Sequence, residues 1–379
     1  YRTDKMRFAD IPGHEDVKER LRDMALSGRI PHALLLEGPS GAGKFMLARA
    51  FAQFIHCQNR TADGDSCGRC PACLQHSAFN HIDTVFSFPV VKKSGKPTMS
   101  DDHVEDFRAF MTENPYMDFD KWLLAMDNIN AQPQIYVEEG NELLRRLTFM
   151  ARRSQYKVVL LWLPERMMEG TANKLLKLVE EPFADTIFVM VSNNSRRILP
   201  TIYSRTQRIN VRRYSDTEVQ SILEARGVPP TDAADAARIA EGDTNMAIRL
   251  AEAGAERMQQ LDLFASLMRK AYGRKVGELR EWSKTVAELG REPAMKFLDY
   301  CSRLFRESFV MHLQVDNLLT LNAAERAFTS KFFPFINERN VIDLMELFDR
   351  SKRDIAGNGN AKIIFFDLAV RTIMLIRRQ

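Results

Sequence analysis

Residues 38–45 have the pattern of a phosphate-binding loop: Gly38-Pro39-Ser40-Gly41-Ala42-Gly43-Lys44-Phe45. An apolar run, residues 32–36, precedes the loop, and a helical pattern, residues 46–51, follows it. Glycines allow backbone N–H groups to surround phosphate oxygens, and the lysine adds positive charge beside the helix N-terminus. The residues predicted to bind the phosphates of a nucleotide are Gly38, Gly41, Gly43 and Lys44.

The positions that normally hold Mg²⁺ beside such a loop carry apolar residues. A Ser or Thr usually follows the lysine and binds the metal through its hydroxyl group, but Phe45 stands there. The strand that usually ends in an acidic Mg²⁺ ligand is predicted at residues 157–163, and it ends in Trp162 and Leu163. Two independent losses at one metal predict that this chain does not bind Mg²⁺. The residues leave open whether the loop still binds ATP or ADP.

Four of the five cysteines lie close together in the sequence. Cys57, Cys67, Cys70 and Cys73 follow the spacing C-x9-C-x2-C-x2-C. Disulfides are rare in cytosolic proteins, and four neighbouring thiolates form the ligand set of a structural, tetrahedral Zn²⁺ site. The alternative is a group of unrelated free cysteines, but two consecutive C-x2-C steps rarely arise by accident. The sequence therefore predicts a zinc knuckle at residues 57–77.

The composition is that of an ordinary globular protein of 379 residues, with 45% hydrophobic and 27% charged residues. This length allows two or three domains. The net charge of +4 permits contact with nucleic acid but does not argue for it. No apolar run reaches the length of a membrane span and no secretory signal is recognisable, so we expect a cytoplasmic location without membrane contact. Residues 1–5 precede Met6, which we expect to be the native start.

Apolar runs that predict buried strands alternate with helical patterns through the first half of the chain. The predicted strands are residues 32–36, 83–86, 157–163 and 186–192, and the main helices are 14–27, 46–56, 134–153 and 169–179. This alternation predicts a parallel sheet covered by helices on both faces. From about residue 212 only helices are predicted, at 216–225, 233–241, 243–253 and throughout the remainder. The predicted domains are 1–211, which contains the knuckle, then 212–255 and 256–379.

Four segments together resemble one known family. They are Gly28-Arg29-Ile30-Pro31-His32-Ala33 before the loop, the four cysteines after its helix, residues 175–182 (Leu-Leu-Lys-Leu-Val-Glu-Glu-Pro) and residues 199–206 (Leu-Pro-Thr-Ile-Tyr-Ser-Arg-Thr). The chain resembles the delta-prime subunits of bacterial DNA polymerase III clamp loaders, which are AAA+ proteins. The resemblance covers nearly the whole chain. It implies an α/β AAA+ P-loop module with an inserted zinc knuckle, a small helical lid domain and an all-helical collar domain.

The resemblance also implies partners and an activity. A subunit of this kind would join gamma/tau-type and delta-type subunits in a heteropentamer that loads the sliding clamp onto primer-template DNA during replication. It would belong to a DNA-directed DNA polymerase holoenzyme. Because the Mg²⁺-binding positions of this chain are replaced, we expect it to have no ATPase activity of its own.

Three positions are assigned by matching the family's motifs. Ser204-Arg205-Thr206 matches a Ser-Arg-Cys motif, which makes Arg205 a candidate arginine finger, catalytic in trans at a neighbour's ATP; the alternative is an ordinary surface ion pair. Asn193 or Asn194 matches the position that orients the attacking water; the alternative is an asparagine that caps a turn. Asn245 occupies the place of the lid arginine that contacts nucleotide, which is a third departure from an active ATPase.

Two other functions remain as alternatives at this stage. The first is a self-sufficient ATPase of the gamma/tau type, which Phe45, Trp162, Leu163 and Asn245 oppose. The second is a zinc-dependent DNA-binding protein. The close spacing of the cysteines leaves no room for the helix of a groove-reading finger, and no dense basic helix flanks them.

Overall fold

The computed structural model describes residues 7–92, 98–126, 132–149, 154–183, 185–314 and 319–378. The predicted native start at Met6 and the expected helical residues 150–153 lie outside these ranges. The chain divides into two compact units, Tyr1–Ala251 and Glu252–Gln379. The predicted boundaries at residues 211/212 and 255/256 remain a prediction, and the two units are described separately below.

The first unit is built on a sheet of five strands, whose bounds are β1 Ala33–Glu37, β2 Thr84–Ser87, β3 Lys157–Trp162, β4 Thr186–Ser192 and β5 Gln207–Asn210. The strand order is β2-β3-β4-β1-β5, and every neighbouring pair is parallel. The expected parallel-sheet α/β class is therefore confirmed. In this order β1 lies between β4 and β5, so the loop that follows β1 leaves an interior strand of the sheet and not an edge strand.

Apolar side chains on both faces of the central strands explain why helices cover both faces of the sheet. Every residue of β3 and β4 is buried, as expected for parallel strands with helices on each side. Alternate residues of β1 join different cores: Leu34 and Leu36 pack with the residues of the helix after the loop, whereas Leu35 packs with Leu143 and Leu175 on the opposite face. The strand that leads into the loop is therefore packed between two apolar cores, one on each face of the sheet.

The helices of the first unit connect and cover these strands. Their bounds are α1 Glu15–Leu26, α2 Lys44–His56, α3 Pro71–Ser77, α4 Val104–Glu113, α5 Phe119–Ala125, α6 Val137–Phe149, α7 Glu169–Glu180, α8 Pro200–Tyr203, α9 Asp216–Glu224 and α10 Pro230–Ala240, followed by the start of α11 Thr244–Tyr272. Helix α2 is buried along its whole length. It therefore fixes the phosphate-binding loop at one end and the cysteines at the other.

The following differences from the sequence prediction have a clear physical reason. The helix expected from residue 134 begins at Val137, because Gln134 and Ile135 form isolated bridges with Val90 and Met167 instead. Strand β5 was not predicted, because only one of its four residues is buried and no alternating pattern is visible. The helix expected to end at residue 253 continues to Tyr272 as α11.

The second unit consists of helices around one apolar core. After α11 come α12 Val276–Ala287, α13 Arg291–His312, α14 Ala323–Phe332, α15 Val341–Ala356 and α16 Ala361–Leu375. The core is rich in Phe and Leu, including Phe264, Phe305 and Phe348. A 3-10 turn at Phe333–Phe335 follows α14, and Gly357 is the C-cap of α15. Across the described residues, no helix combines the length and hydropathy needed to span a membrane.

Candidate phosphate-binding loop and metal centre

The loop between β1 and α2 adopts a conformation that requires glycine. Gly41 and Gly43 have φ angles of 74° and 71°, and Gly43 is the N-cap of α2. A side chain at Gly43 would also meet the Tyr214 hydroxyl at 2.4 Å from its Cβ. Left-handed backbone and close neighbours together exclude other residues at these positions. The loop that the sequence predicts is therefore present, with its backbone turned into the first turn of α2.

Lys44 is buried inside this loop. Its side chain is 4% exposed, and its ammonium group donates a hydrogen bond to the carbonyl oxygen of Pro39. Burial lowers the pKa of Lys44 to about 7, although the carboxylates of Glu165 and Asp243 oppose this shift. Among the described residues, no carboxylate forms an ion pair with this ammonium group. A bound phosphate would favour the charged form of Lys44 and raise this pKa.

Phe45 and Trp162 point into the core. Phe45 is 2% exposed and packs edge-on against Phe107, with the ring centroids 6.1 Å apart. Trp162 is 1% exposed, and its ring lies 5.8 Å from Phe107 and 5.9 Å from Phe110. The two positions that would supply Mg²⁺ ligands are thus parts of one aromatic cluster. Neither offers an oxygen atom to a metal.

Glu165 is the first acidic residue after β3, and it holds the loop that follows β4. Its Oε1 accepts hydrogen bonds from the backbone N–H groups of Asn193 at 2.8 Å and Asn194 at 3.0 Å. Its Oε2 is buried without a hydrogen-bond partner among the described residues. Asn193 and Glu165 line a cleft of about 340 Å³, together with Ser40 of the loop, Asp243 and Arg249. The structure thus brings the predicted Asn193 into a cleft that Ser40 of the loop also lines.

The N-terminus of α11 closes over the loop from another side. A Cβ atom at Gly41 would lie 2.3 Å from Asp243 Oδ1. Asn245, which the sequence comparison of motifs predicts to replace a lid arginine, is 5% exposed and donates from Nδ2 to the Tyr116 carbonyl oxygen at 3.2 Å and to Ser40 Oγ at 3.4 Å. The neutral amide of Asn245 therefore links α11 to the loop.

Arg205 lies after α8, on the surface. Its guanidinium group forms an ion pair with Glu180, 2.7 Å from Nη2 to Oε1, and donates to the Thr201 carbonyl oxygen at 3.0 Å. The Arg205 side chain is 42% exposed and that of Glu180 is 40% exposed. Neither partner is desolvated, so this ion pair holds the arginine only weakly.

The four predicted zinc ligands converge on one point. The Sγ atoms of Cys57, Cys67, Cys70 and Cys73 all lie within 4.8 Å of one another, and Cys67 and Cys73 are 3.9 Å apart. Zn–S bonds of about 2.3 Å in a tetrahedron place neighbouring sulfurs about 3.8 Å apart. The backbone N–H of Cys67 donates to Cys57 Sγ and that of Cys70 to Cys67 Sγ, each at 3.3 Å. The set could hold a tetrahedral metal ion.

A second cluster, not anticipated from the sequence, lies beside the cysteines. His56, His76 and His81 are all buried, with ligand nitrogens within 4.8 Å of one another. The His56 and His76 rings meet edge to edge through a 2.8 Å hydrogen bond, and the His81 ring stacks on both, 4.2 Å and 4.4 Å away. Lone pairs of imidazole lie in the ring plane, so stacked parallel rings do not point at a common metal.

These three histidines, the histidine stack, form a neutral polar core. Burial lowers the pKa of His56 to about 4 and lowers the pKa of His76 well below its usual range. His56 Nε2 donates to the Tyr156 carbonyl oxygen at 2.9 Å, immediately before β3. The stack therefore joins the end of α2, helix α3 and the sheet. The sequence signal that could have indicated it is that these three histidines flank the four cysteines, one before them and two after.

The fold and the loop define a P-loop module on a parallel sheet, and comparison with known proteins identifies its family. Residues 13–215, more than half of the chain, match the model of the family described as "DNA polymerase III, delta subunit". The chain therefore belongs to this family.

Named relatives cover part of the chain. The chain is 33% identical over 182 residues to DNA polymerase III subunit delta' of Pseudomonas aeruginosa, covering 48% of this chain and 43% of the relative. It is 29% identical over 235 residues to DNA polymerase III subunit gamma/tau of Mycobacterium tuberculosis, covering 60% of this chain and 33% of the relative. The chain thus spans less than half the length of these curated relatives.

Solved structures give weaker similarity. A DNA polymerase III gamma subunit-related protein of Thermotoga maritima aligns with 95% of this chain and 99% of its own, at 12% identity and a TM-score of 0.35. The RuvB Holliday junction branch migration motor of Thermotoga maritima aligns with 66% of this chain and 65% of its own, at 15% identity and a TM-score of 0.40.

Proposed function

We propose that this chain is a delta-prime-type subunit of a DNA polymerase III clamp loader that does not hydrolyse ATP itself. The observation that carries the proposal is the burial of Phe45 and Trp162, at 2% and 1% exposure, in one aromatic cluster. Hydrolysis of ATP needs Mg²⁺ to neutralise charge on the phosphates, and both positions lack an oxygen ligand. Relatives named delta' and gamma/tau support the placement in a clamp loader.

The expected partners follow from the same proposal. They are gamma/tau-type and delta-type subunits in a heteropentamer, the sliding clamp, and primer-template DNA held by the whole complex. In this arrangement the second unit is a collar that assembles the ring, and residues 212–255 act as a lid. The loop retains glycines and Lys44, which supports ATP or ADP without Mg²⁺ as its ligand. In this proposal Asn193, which lines the same cleft as Ser40 of the loop, would face the terminal phosphate.

The purified chain tests the absence of hydrolysis. We expect no Mg²⁺-dependent phosphate release from ATP above the background that a Lys44→Ala variant shows in the same preparation. A turnover that depends on Mg²⁺ and disappears in Lys44→Ala would instead support the alternative, a self-sufficient ATPase of the gamma/tau type. The 29% identity to a gamma/tau subunit is the observation that keeps this alternative open.

Arg205 is proposed to act in trans on the ATP of a neighbouring subunit. It is exposed, and its ion pair with Glu180 is solvated, so a γ-phosphate from another chain would compete for the guanidinium group at little cost. An arginine finger contributes about 10³-fold or more to turnover at the site that it serves. Its loss should therefore silence one site of the complex and leave the isolated chain unchanged.

The experiment compares assembled complexes that contain wild-type, Arg205→Ala or Arg238→Ala chains. Arg238 is the matched control, because it is also a surface arginine in an ion pair, at 74% exposure. We expect Arg205→Ala to lower the ATPase rate of the complex without changing its elution volume, Arg205→Lys to fail to restore the rate, and Arg238→Ala to behave as wild type. An unchanged rate with Arg205→Ala would rule out the finger.

The four cysteines are proposed to hold a structural Zn²⁺ ion. The donor set is complete with four thiolates, so no coordination position remains for water or substrate. Burial opposes ionisation of Cys67, but the N–H groups of Arg69 and Cys70 donate to its sulfur and bring the pKa of this thiol to about 6. The bound metal would supply folding energy for the knuckle and take no part in chemistry.

A further inference from the structure

An apolar groove opens on the surface of the second unit. It has a volume of about 250 Å³ and is lined by Met268, Tyr272, Phe328, Phe332, Phe335 and Ile376, with Arg269 and Lys331 at its edge. Tyr272 is 48% exposed, and its ring meets Phe335 edge-on at 5.1 Å. Phe328 and Phe332 stack 5.3 Å apart and rest on the fully buried Phe264. We call this surface the aromatic groove.

The edge of the aromatic groove carries positive charge only. Arg269 and Lys331 line it, and Arg377 lies 5.0 Å from the Tyr272 ring and donates to the Tyr272 carbonyl oxygen. No carboxylate is among the lining residues, and none of the three cations forms an ion pair with an acidic residue in the described part of the chain. Other surface arginines and lysines of this unit do have such partners, for example Lys352 with Asp299.

We propose that the aromatic groove is a docking site for an acidic segment of another protein, which inserts one large apolar side chain. Apolar pockets ringed by polar groups are the usual anchor sites of protein interfaces. Three unpaired cations around this pocket complement a segment rich in Asp and Glu. The site is additional to the proposed nucleotide-linked role, since all its residues lie in the second unit.

Single-stranded nucleic acid is the competing occupant, since it also combines negative charge with rings that stack. Such binding uses exposed aromatic faces along a basic track. Here Phe332, Met268 and Ile376 are 6%, 3% and 4% exposed, and they form the floor of a pocket. A pocket of about 250 Å³ is smaller than most small-molecule sites and suits a single anchoring side chain.

The test selects short random peptides, displayed on phage, against the full chain, with the double variant Tyr272→Ala/Lys331→Glu for counter-selection. We expect the enriched peptides to share acidic residues around one aromatic or aliphatic residue. A fluorescein-labelled copy of the most enriched peptide then gives affinities by anisotropy. Tyr272→Ala should weaken binding about tenfold, as for an interface anchor, and Lys331→Glu about fivefold, as for a rim charge.

Two controls decide the outcome. Arg280→Glu changes the charge of an exposed residue of α12 outside the groove and should leave the affinity unchanged; circular dichroism melts check that each variant is folded. A labelled oligothymidylate provides the nucleic-acid arm. The proposal is overturned if no peptide is enriched, if the enriched peptides are not acidic, if Tyr272→Ala and Lys331→Glu bind as wild type, or if only oligothymidylate responds to the variants.

Discussion

At the scale of single residues, the loop keeps the groups that would contact phosphate and lacks those that would bind Mg²⁺. Gly41 and Gly43 have the left-handed backbone that the predicted loop requires, and Lys44 is the first residue of α2. Phe45 contributes to the core instead of the site. The replacement was readable from the sequence because a motif fixes each position. The direction in which the Phe45 side chain points could not be predicted, because it depends on packing against Phe107, which is distant in the chain.

The burial of Lys44 has a measurable consequence for stability. Its pKa falls from 10.5 to about 7 in the folded chain, so folding disfavours the charged form. The destabilisation is complete below about pH 7 and is relieved as the pH rises towards 10.5, where the unfolded chain also loses its proton. A Lys44→Met variant should therefore gain stability relative to wild type at low pH, and this gain should shrink by up to about 1.4 kcal/mol per pH unit between pH 7 and 10.

Urea unfolding of both proteins across pH 6.5–9.5 checks this expectation. Lys177→Met is the matched control, because Lys177 is an exposed lysine of α7, and its difference from wild type should not vary with pH. A constant difference for Lys44→Met would mean that Lys44 keeps its charge in the folded chain.

Glu165 and the histidine stack mark the limit of residue-level prediction. Glu165 was visible only as the first acid after β3, yet it binds the N–H groups of Asn193 and Asn194. His56 and His81 meet in space although 25 positions separate them in the chain. Hydrogen bonds and stacking between distant segments depend on how the strands are ordered, which a single sequence does not specify.

At the scale of elements, apolar patterns predicted strands and helices well where one face is buried. Strands β3 and β4 are continuous apolar runs and were placed within one residue of their bounds. Strand β5 is exposed at three of its four positions and was missed. The stop expected after residue 253 failed because Ala251, Ala253 and Ala255 are good helix formers, and α11 continues through them.

Helix α9 begins with a capping box that should respond to acid. Ser215 Oγ accepts from the Glu218 N–H, and the Glu218 carboxylate accepts from the Ser215 N–H at 2.7 Å and from Arg212. The hydrogen bonds from Arg212 and Ser215 lower the pKa of Glu218 to about 2. The stabilisation is therefore fully present above pH 4.5 and is lost as the pH falls towards 2.

We expect Glu218→Gln to lower the free energy of unfolding of the first unit by about 1 kcal/mol at pH 7. The difference in the free energy of unfolding between Glu218→Gln and wild type should become smaller as the pH falls from 4.5 to 2. Chemical denaturation at pH 7, 4 and 3 measures it, with Glu224→Gln, at the exposed C-terminal end of the same helix, as control. A difference that stays constant down to pH 3 would exclude the charge of Glu218 as its cause.

At the scale of the whole molecule, the chain consists of two units with separate cores. Every predicted nucleotide and metal residue lies in the first, and the aromatic groove lies in the second. The class of the first unit followed from alternating strands and helices. The groove did not, because its residues come from α11, α14, the 3-10 turn that follows α14 and the end of α16, and only tertiary packing brings these together.

Removal of the metal should destabilise one unit selectively. At a free concentration a hundred times its dissociation constant, a ligand adds about 2.7 kcal/mol, which corresponds to about 5–10 °C in Tm for a unit of this size. We expect a chelator, or the Cys73→Ser substitution, to lower the first unit's melting transition by about this amount and to leave the second unit's unchanged.

Differential scanning calorimetry with and without chelator makes the measurement, and atomic absorption on the native protein identifies the metal. Cys301→Ser is the control, because Cys301 is buried in the core of the second unit; it should lower that unit's transition whether or not chelator is present. Melting of the first unit that does not depend on chelator, in protein free of zinc, would refute the metal site.

The histidine stack also makes the docking of the knuckle observable without a label. A carbonyl oxygen only accepts, so His56 Nε2 must carry a proton towards Tyr156, and His56 Nδ1 must then accept from His76 Nε2. Both protons are shielded from solvent. They should appear as slowly exchanging imidazole resonances at low field in a proton NMR spectrum, and they should vanish together when the knuckle separates from the sheet.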